Sequence, residues 1–79
     1  MTSMNKALGE IISRRRQGRN LSQEELADRA GIHRTYVSQI ERGLKSPTLS
    51  ILIKVAKALD TKASIILSEL EREVDGVHS

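Results

Sequence analysis

Apolar residues recur along the chain at spacings of three and four, the period of amphipathic helices, and nowhere as an alternating β-branched run. Leu8, Ile11 and Ile12 mark a first helix over about residues 5–17, closed by Gly18 and Asn20. Ser22-Gln23-Glu24-Glu25 opens a second. The Ser22 hydroxyl can accept the Glu25 amide proton while the Glu25 carboxylate reaches back to the Ser22 amide. Leu26, Ala27 and Ala30 form its buried side, and Gly31 ends it with the positive φ that a sharp C-terminal turn favours. A third helix is predicted over about 33–42, stopping at Gly43. A fourth follows Ser46-Pro47-Thr48 over about 48–59, and a fifth follows Asp60-Thr61 over about 63–73. The expectation is an all-α, compact five-helix bundle, one domain with its core over about residues 7–70 and flexible ends at 1–4 and 74–79.

Helices two and three flank the tight turn Ala30-Gly31-Ile32, the helix-turn-helix arrangement. At about 100° per residue, Arg34, Thr35, Ser38, Gln39 and Arg42 share one polar arc of the third helix. His33, Tyr36, Val37 and Ile40 share the opposite arc, which gives His33 a structural role and no ligand role. Arginine forks onto guanine O6 and N7, glutamine pairs with adenine, and Ser or Thr donates, accepts or touches a thymine methyl. A polar arc is often only a solvated surface, but this one carries none of the Lys and Glu that such surfaces favour.

Charge sharpens this picture. The chain of 79 residues has a formal +3. Residues 1–45 hold nine basic side chains against five acids, net +4, and residues 46–79 hold four against five, net −1. The basic half is a candidate polyanion surface. With no Cys there is no disulfide framework, zinc finger or thiol nucleophile. The two His have no companion at ligand spacing, so neither a metal, a cofactor nor an enzyme activity is expected. No apolar run approaches a membrane span, Met1–Gly9 lacks a signal-peptide pattern, and a cytoplasmic location is expected. With no Trp or Phe, the core must be built from Ile, Leu, Val and Ala, and the one aromatic is Tyr36.

Residues 21–45, LSQEELADRAGIHRTYVSQIERGLK, resemble the Xre/Cro-type helix-turn-helix of phage repressors and small bacterial regulators. The SQEELA segment, the Gly-Ile turn and the SQIERG ending carry the likeness, and the later PTL and VAKAL stretches extend it over about residues 7–70. The Arg34-Thr35-Tyr36 triplet and the short chain also resemble restriction–modification controller proteins, stand-alone dimers that regulate their own gene and the endonuclease gene. The resemblance implies a lambda-repressor-like DNA-binding domain acting as a homodimer on a pseudo-palindromic operator. It implies base reading by Arg34, Thr35, Ser38 and Gln39, and phosphate contacts from Gln23, Tyr36, Arg42, Lys45 and Ser46. Arg19, in the loop after helix one, is a further phosphate candidate. Arg16 and Glu41 match a family ion pair, and since consecutive helical residues point apart, one of Arg14 and Arg15 could graze phosphate.

The fourth helix carries two offset apolar sets, Leu49, Leu52, Ile53, Ala56 and Leu59 against Ile51, Val55 and Ala58. Either both are internal, or one forms a two-fold interface. The resemblance favours dimerisation through helix five, at Ile66, Leu67 and Leu70. Asp60 stands where many relatives have Gly, and Lys62 stands near the expected cap of helix five. Glu24, Glu25 and Asp28 suit the positive end of helix two; in related activators, acids there touch RNA polymerase. A protein-interaction module, such as an antitoxin that also binds DNA, is the alternative reading.

Overall fold

The computed structural model describes residues 3–78, with side chains described through Asp75. Five helices follow in order: α1 Met4–Gly18, α2 Gln23–Ala30, α3 Arg34–Glu41, α4 Leu49–Ala58 and α5 Ala63–His78. Helix one therefore begins within the segment expected to be a flexible end. Helix five runs on to His78, past its expected end at 73. Residues 1, 2 and 79 lie outside the description.

Local chemistry sets each start. The Ser3, Ser22 and Thr48 hydroxyls accept the amide protons of Lys6, Glu25 and Ile51. At Ser22 the full capping box is present, with the Ser22 amide donating to Glu25 at 3.0 Å. That donation, followed by the Ser22 hydroxyl, holds the Glu25 carboxyl below its ordinary pKa. The cap contribution is accordingly present above the ordinary carboxylate range and fades as pH falls through it. Helix three starts differently. His33 is exposed and extended (φ −77, ψ 143), and its Nδ1 accepts the Thr35 amide proton at 3.0 Å. The helical projection that put His33 on the packing arc does not apply to a residue outside the helix. Its role is a cap.

The stops share one device. Asn20, Gly31, Gly43 and Asp60 are the four described residues with positive φ, and each follows a helix. After each of α1 to α4 the backbone closes the double hydrogen bond of a Schellman turn. After α4, for example, Asp60 N–H donates to Lys57 and Thr61 N–H to Ala56, both at 2.9 Å. Asp60 thus performs the turn that glycine performs elsewhere, since Asp and Asn tolerate the left-handed region better than other side chains.

Helix one packs on α3 and α5, α2 on α3 and α4, and α4 on α5. The shared core is wholly apolar, with Ile11, Leu26, Val37, Ile40, Val55, Leu59 and Ile66 almost fully enclosed. Tyr36 is half-buried and packs its ring against this core. Gly9 lets α1 close directly onto the end of α3. A Cβ there would meet the carbonyl oxygens of Ile40 and Glu41, the latter at 2.5 Å.

The apolar set Leu49, Leu52, Ile53, Ala56 and Leu59 does not stay together. Leu52, Ala56 and Leu59 are buried with Val55, while Leu49 and Ile53 are exposed and Ile51 and Ala58 are intermediate. On α5, Ile66 is 0% and Leu70 6% exposed within one chain. Both belong to the core of the single chain, and Leu67 is half-buried beside it. Among the described residues no helix is long and apolar enough to cross a membrane, and no group of three or more His, Cys, Asp or Glu could hold a metal ion.

Candidate nucleic-acid interface

Burial of Val37 and Ile40 against the core fixes the rotation of α3 about its axis. That rotation turns Arg34 and Thr35, in its first turn, fully outward, with Ser38 and Gln39 half-buried one turn later. Arg42 follows as an exposed C-terminal cap, and Lys45 and Ser46 are exposed in the linker to α4. The predicted base-reading residues therefore lie along one face of one helix, and three of the predicted phosphate contacts lie at its far end. Gln23 is half-buried at the first position of α2.

One polar cluster locks this unit. The Arg16 guanidinium forks onto Glu41, Nε to Oε2 at 2.7 Å and Nη2 to Oε1 at 3.0 Å. Arg16 Nη1 also donates to the Leu21 carbonyl at 2.7 Å, and Gln23 Nε2 donates to Glu41 Oε1 at 3.1 Å. The Glu41 side chain is only 5% exposed and that of Arg16 13%, so the pair is largely withdrawn from water. It joins α1, the following loop, α2 and α3 at one point. The Gln23–Glu41 link was not evident from the sequence: a Gln eighteen positions before a Glu has no periodic signature.

The remaining arginines of α1 are also paired. Arg14 bonds Glu73 at 2.7 Å, and Arg15 bonds Glu69, both across to α5. The Glu73 carboxylate raises the Arg14 pKa above its ordinary value. Both side chains are directed to α5 rather than to α3. The i, i+4 spacing of Glu69 and Glu73 was the available signal, because it sets two carboxylates on one face of α5. Arg19 is correspondingly placed against Asp60, at 3.3 Å, in the α4–α5 turn. Among the described residues Arg34, Arg42 and Lys45, on and beside α3, form no ion pair, and neither do Arg29 on α2 and Arg72 on α5.

A short capped helix, a glycine turn, and a second helix with its polar face turned out beside free cations define a helix-turn-helix module built to read duplex nucleic acid. The chain belongs to the helix-turn-helix family, whose model matches residues 12–66. It is 46% identical over 61 residues to the control protein C.SmaI of Serratia marcescens, covering 77% of this chain and 73% of that one. In three dimensions it is similar to the restriction–modification controller protein C.AhdI of Aeromonas hydrophila, with TM-score 0.77 and 34% identity over 78% of this chain and 94% of that one. It is likewise similar to the controller C.Esp1396I, solved as a tetramer on its natural 35 base-pair operator, with TM-score 0.81, 26% identity, and coverage of 94% and 97%.

Proposed function

We propose that this chain is a transcriptional regulator controlling a restriction–modification system and its own gene, acting in the cytoplasm as a homodimer on a pseudo-palindromic operator. Two copies of α3 enter successive major grooves, with half-sites about 10 bp apart. Arg34, Thr35, Ser38 and Gln39 read base edges, while Gln23, Tyr36, Arg42, Lys45 and Ser46 hold phosphate and set the register. The observation that carries this reading is the outward polar face of α3: Arg34 and Thr35 are exposed in its first turn, Ser38 and Gln39 follow one turn later, and among the described residues neither Arg34 nor Arg42 forms an ion pair. Arg19 stays a phosphate candidate in the loop after α1, since its contact with Asp60 at 3.3 Å is an exposed and weak pair. Gln23 keeps its place in the phosphate set, because its amide has a second proton beyond the one given to Glu41.

In-vitro selection of bound duplexes identifies the operator. Arg34→Ala is then expected to cost about 1–3 kcal/mol on that operator and to relax preference at one base pair. Equal loss of affinity for operator and random duplex would remove Arg34 from base reading.

Dimerisation needs an apolar face that the monomer leaves uncovered. Leu49 is 74% exposed, Ile53 53% and Ile65 46%, on the outer side of α4 and the start of α5. Leu49 and Ile53 are one helical turn apart, and Lys57, one turn further, lines a surface depression together with Ile65. Ile53→Lys and Ile65→Asp are expected to give folded monomers with unchanged helix content, measured by sedimentation and circular dichroism. A dimer mass retained in both variants would exclude this face. For polymerase contact, Glu24 and Asp28 are the available acids of α2, since Glu25 is occupied by the capping box.

A further inference from the structure

We infer that Lys6, on the first turn of α1, is a phosphate-contacting residue that extends the backbone-gripping loop after α3 onto a second helix. The inference rests on the DNA-binding reading above and adds a residue from outside the helix-turn-helix unit.

Its basis is a close approach of backbone to backbone. Gly43 follows α3 with φ +75, and a Cβ built on it would lie 2.8 Å from Lys6 Cα and 3.2 Å from Lys6 Cβ. The chain reverses here by the double hydrogen bond of the Schellman turn, Gly43 N–H to Ile40 at 3.0 Å and Leu44 N–H to Gln39 at 2.9 Å. The turn is thereby pressed against α1 at Lys6. The Ser3 hydroxyl fixes the Lys6 amide at 3.1 Å, so the first turn of α1 is an ordered platform for this side chain.

Lys6 is exposed, as are Arg42 on one side of Gly43 and Lys45 on the other. Among the described residues none of the three forms an ion pair, although Glu10 stands one helical turn beyond Lys6. Three cations from two elements therefore surround one turn without a neutralising carboxylate. The flexible four-carbon stem of lysine lets its ammonium range well beyond its own turn of helix. A strand gripped by Arg42 and Lys45 passes within reach of Lys6, and the compact, mobile ammonium is suited to phosphate rather than to forked recognition of a base.

The test is the salt dependence of binding. On the selected operator and on a random duplex, Lys6→Gln is expected to reduce the slope of log K against log salt by about 0.9 for each Lys6 that meets a phosphate. The change should be similar on both duplexes, with base preference and thermal midpoint unchanged. Lys45→Gln run in parallel should flatten the slope as well, and Lys54→Gln, on α4, should not. A slope unaltered by Lys6→Gln while Lys45→Gln flattens it overturns the inference and leaves the DNA-binding reading standing. A fall in thermal midpoint accounting for all the lost affinity would make Lys6 structural and also overturn it. Failure of the wild-type chain to bind any duplex would instead overturn the reading on which it rests.

Discussion

Glu41→Ala is expected to destabilise the chain by about 2–4 kcal/mol, somewhat less than the 3–5 kcal/mol typical when one partner of a fully buried pair is removed. The discount reflects the residual exposure of Arg16. Glu41 accepts from Arg16 twice and from Gln23 once. Its removal therefore leaves a guanidinium with little access to water and an amide without its partner. For a domain of this size the thermal midpoint should fall by roughly 10–30 °C. The substitution should also weaken DNA binding beyond the loss of folded protein, because Gln23 is oriented by the same carboxylate. Replacing both partners by apolar residues of similar volume, Arg16→Met with Glu41→Leu, should recover much of the stability, since no charge is then stranded. It should not recover the orientation of Gln23. A midpoint drop of only a few degrees for Glu41→Ala, read by thermal denaturation, would show that the cluster is not a stabilising joint.

Gly9→Val is expected to be comparably severe, at about 3 kcal/mol or more. Gly9 is buried against the C-terminal turn of α3, and even the first carbon of a side chain meets the Ile40 and Glu41 carbonyls. Main-chain atoms cannot swing aside as a flexible side chain does. The strain must be relieved by parting α1 from α3, and overpacking of this kind commonly costs 1–3 kcal/mol in cores where side chains can adjust. The gain in helix propensity on leaving glycine, at most about 1 kcal/mol, runs the other way and is smaller for a β-branched residue. Gly18 provides the contrast. It ends the same helix with open space where its Cβ would be, so Gly18→Ala should leave stability unchanged or raise it by less than about 1 kcal/mol. Equal midpoints for the Gly9 and Gly18 variants would contradict the direct contact between α1 and α3.

Much of the proposed reading surface is legible in the sequence alone. The capping box, the Gly31 stop and the polar arc of α3 depend on residues within one or two helical turns, where periodicity and capping chemistry act directly. Asp60 was visible as a departure from the usual glycine, and its positive φ explains why the departure is tolerated. His33 was misplaced for an equally local reason. A 100° projection assumes helical backbone, and His33 is the extended residue that caps the helix rather than a member of it.

The apolar faces of α4 and α5 show where local reasoning stops. Leu49, Leu52 and Ile53 all satisfy helical spacing, yet Leu52 is buried and the other two are exposed. Spacing reports that a face is apolar; the helices packed beside it determine whether that face is already covered. Ile66 and Leu70 likewise lie on an apolar face of α5, and only the packed chain shows them enclosed in its core.

The sequence by itself determined the five helices, the helix-turn-helix spacing and the side chains offered along α3, because each follows from interactions within a few residues. Tertiary structure alone decided which cations have a carboxylate beside them. Arg14, Arg15 and Arg19 are as basic on paper as Arg34 and Arg42, but α5 and the α4–α5 turn set carboxylates against the first three. A carboxylate set beside a cation competes with a polyanion for it, and where the fold places those carboxylates depends on residues more than forty positions away.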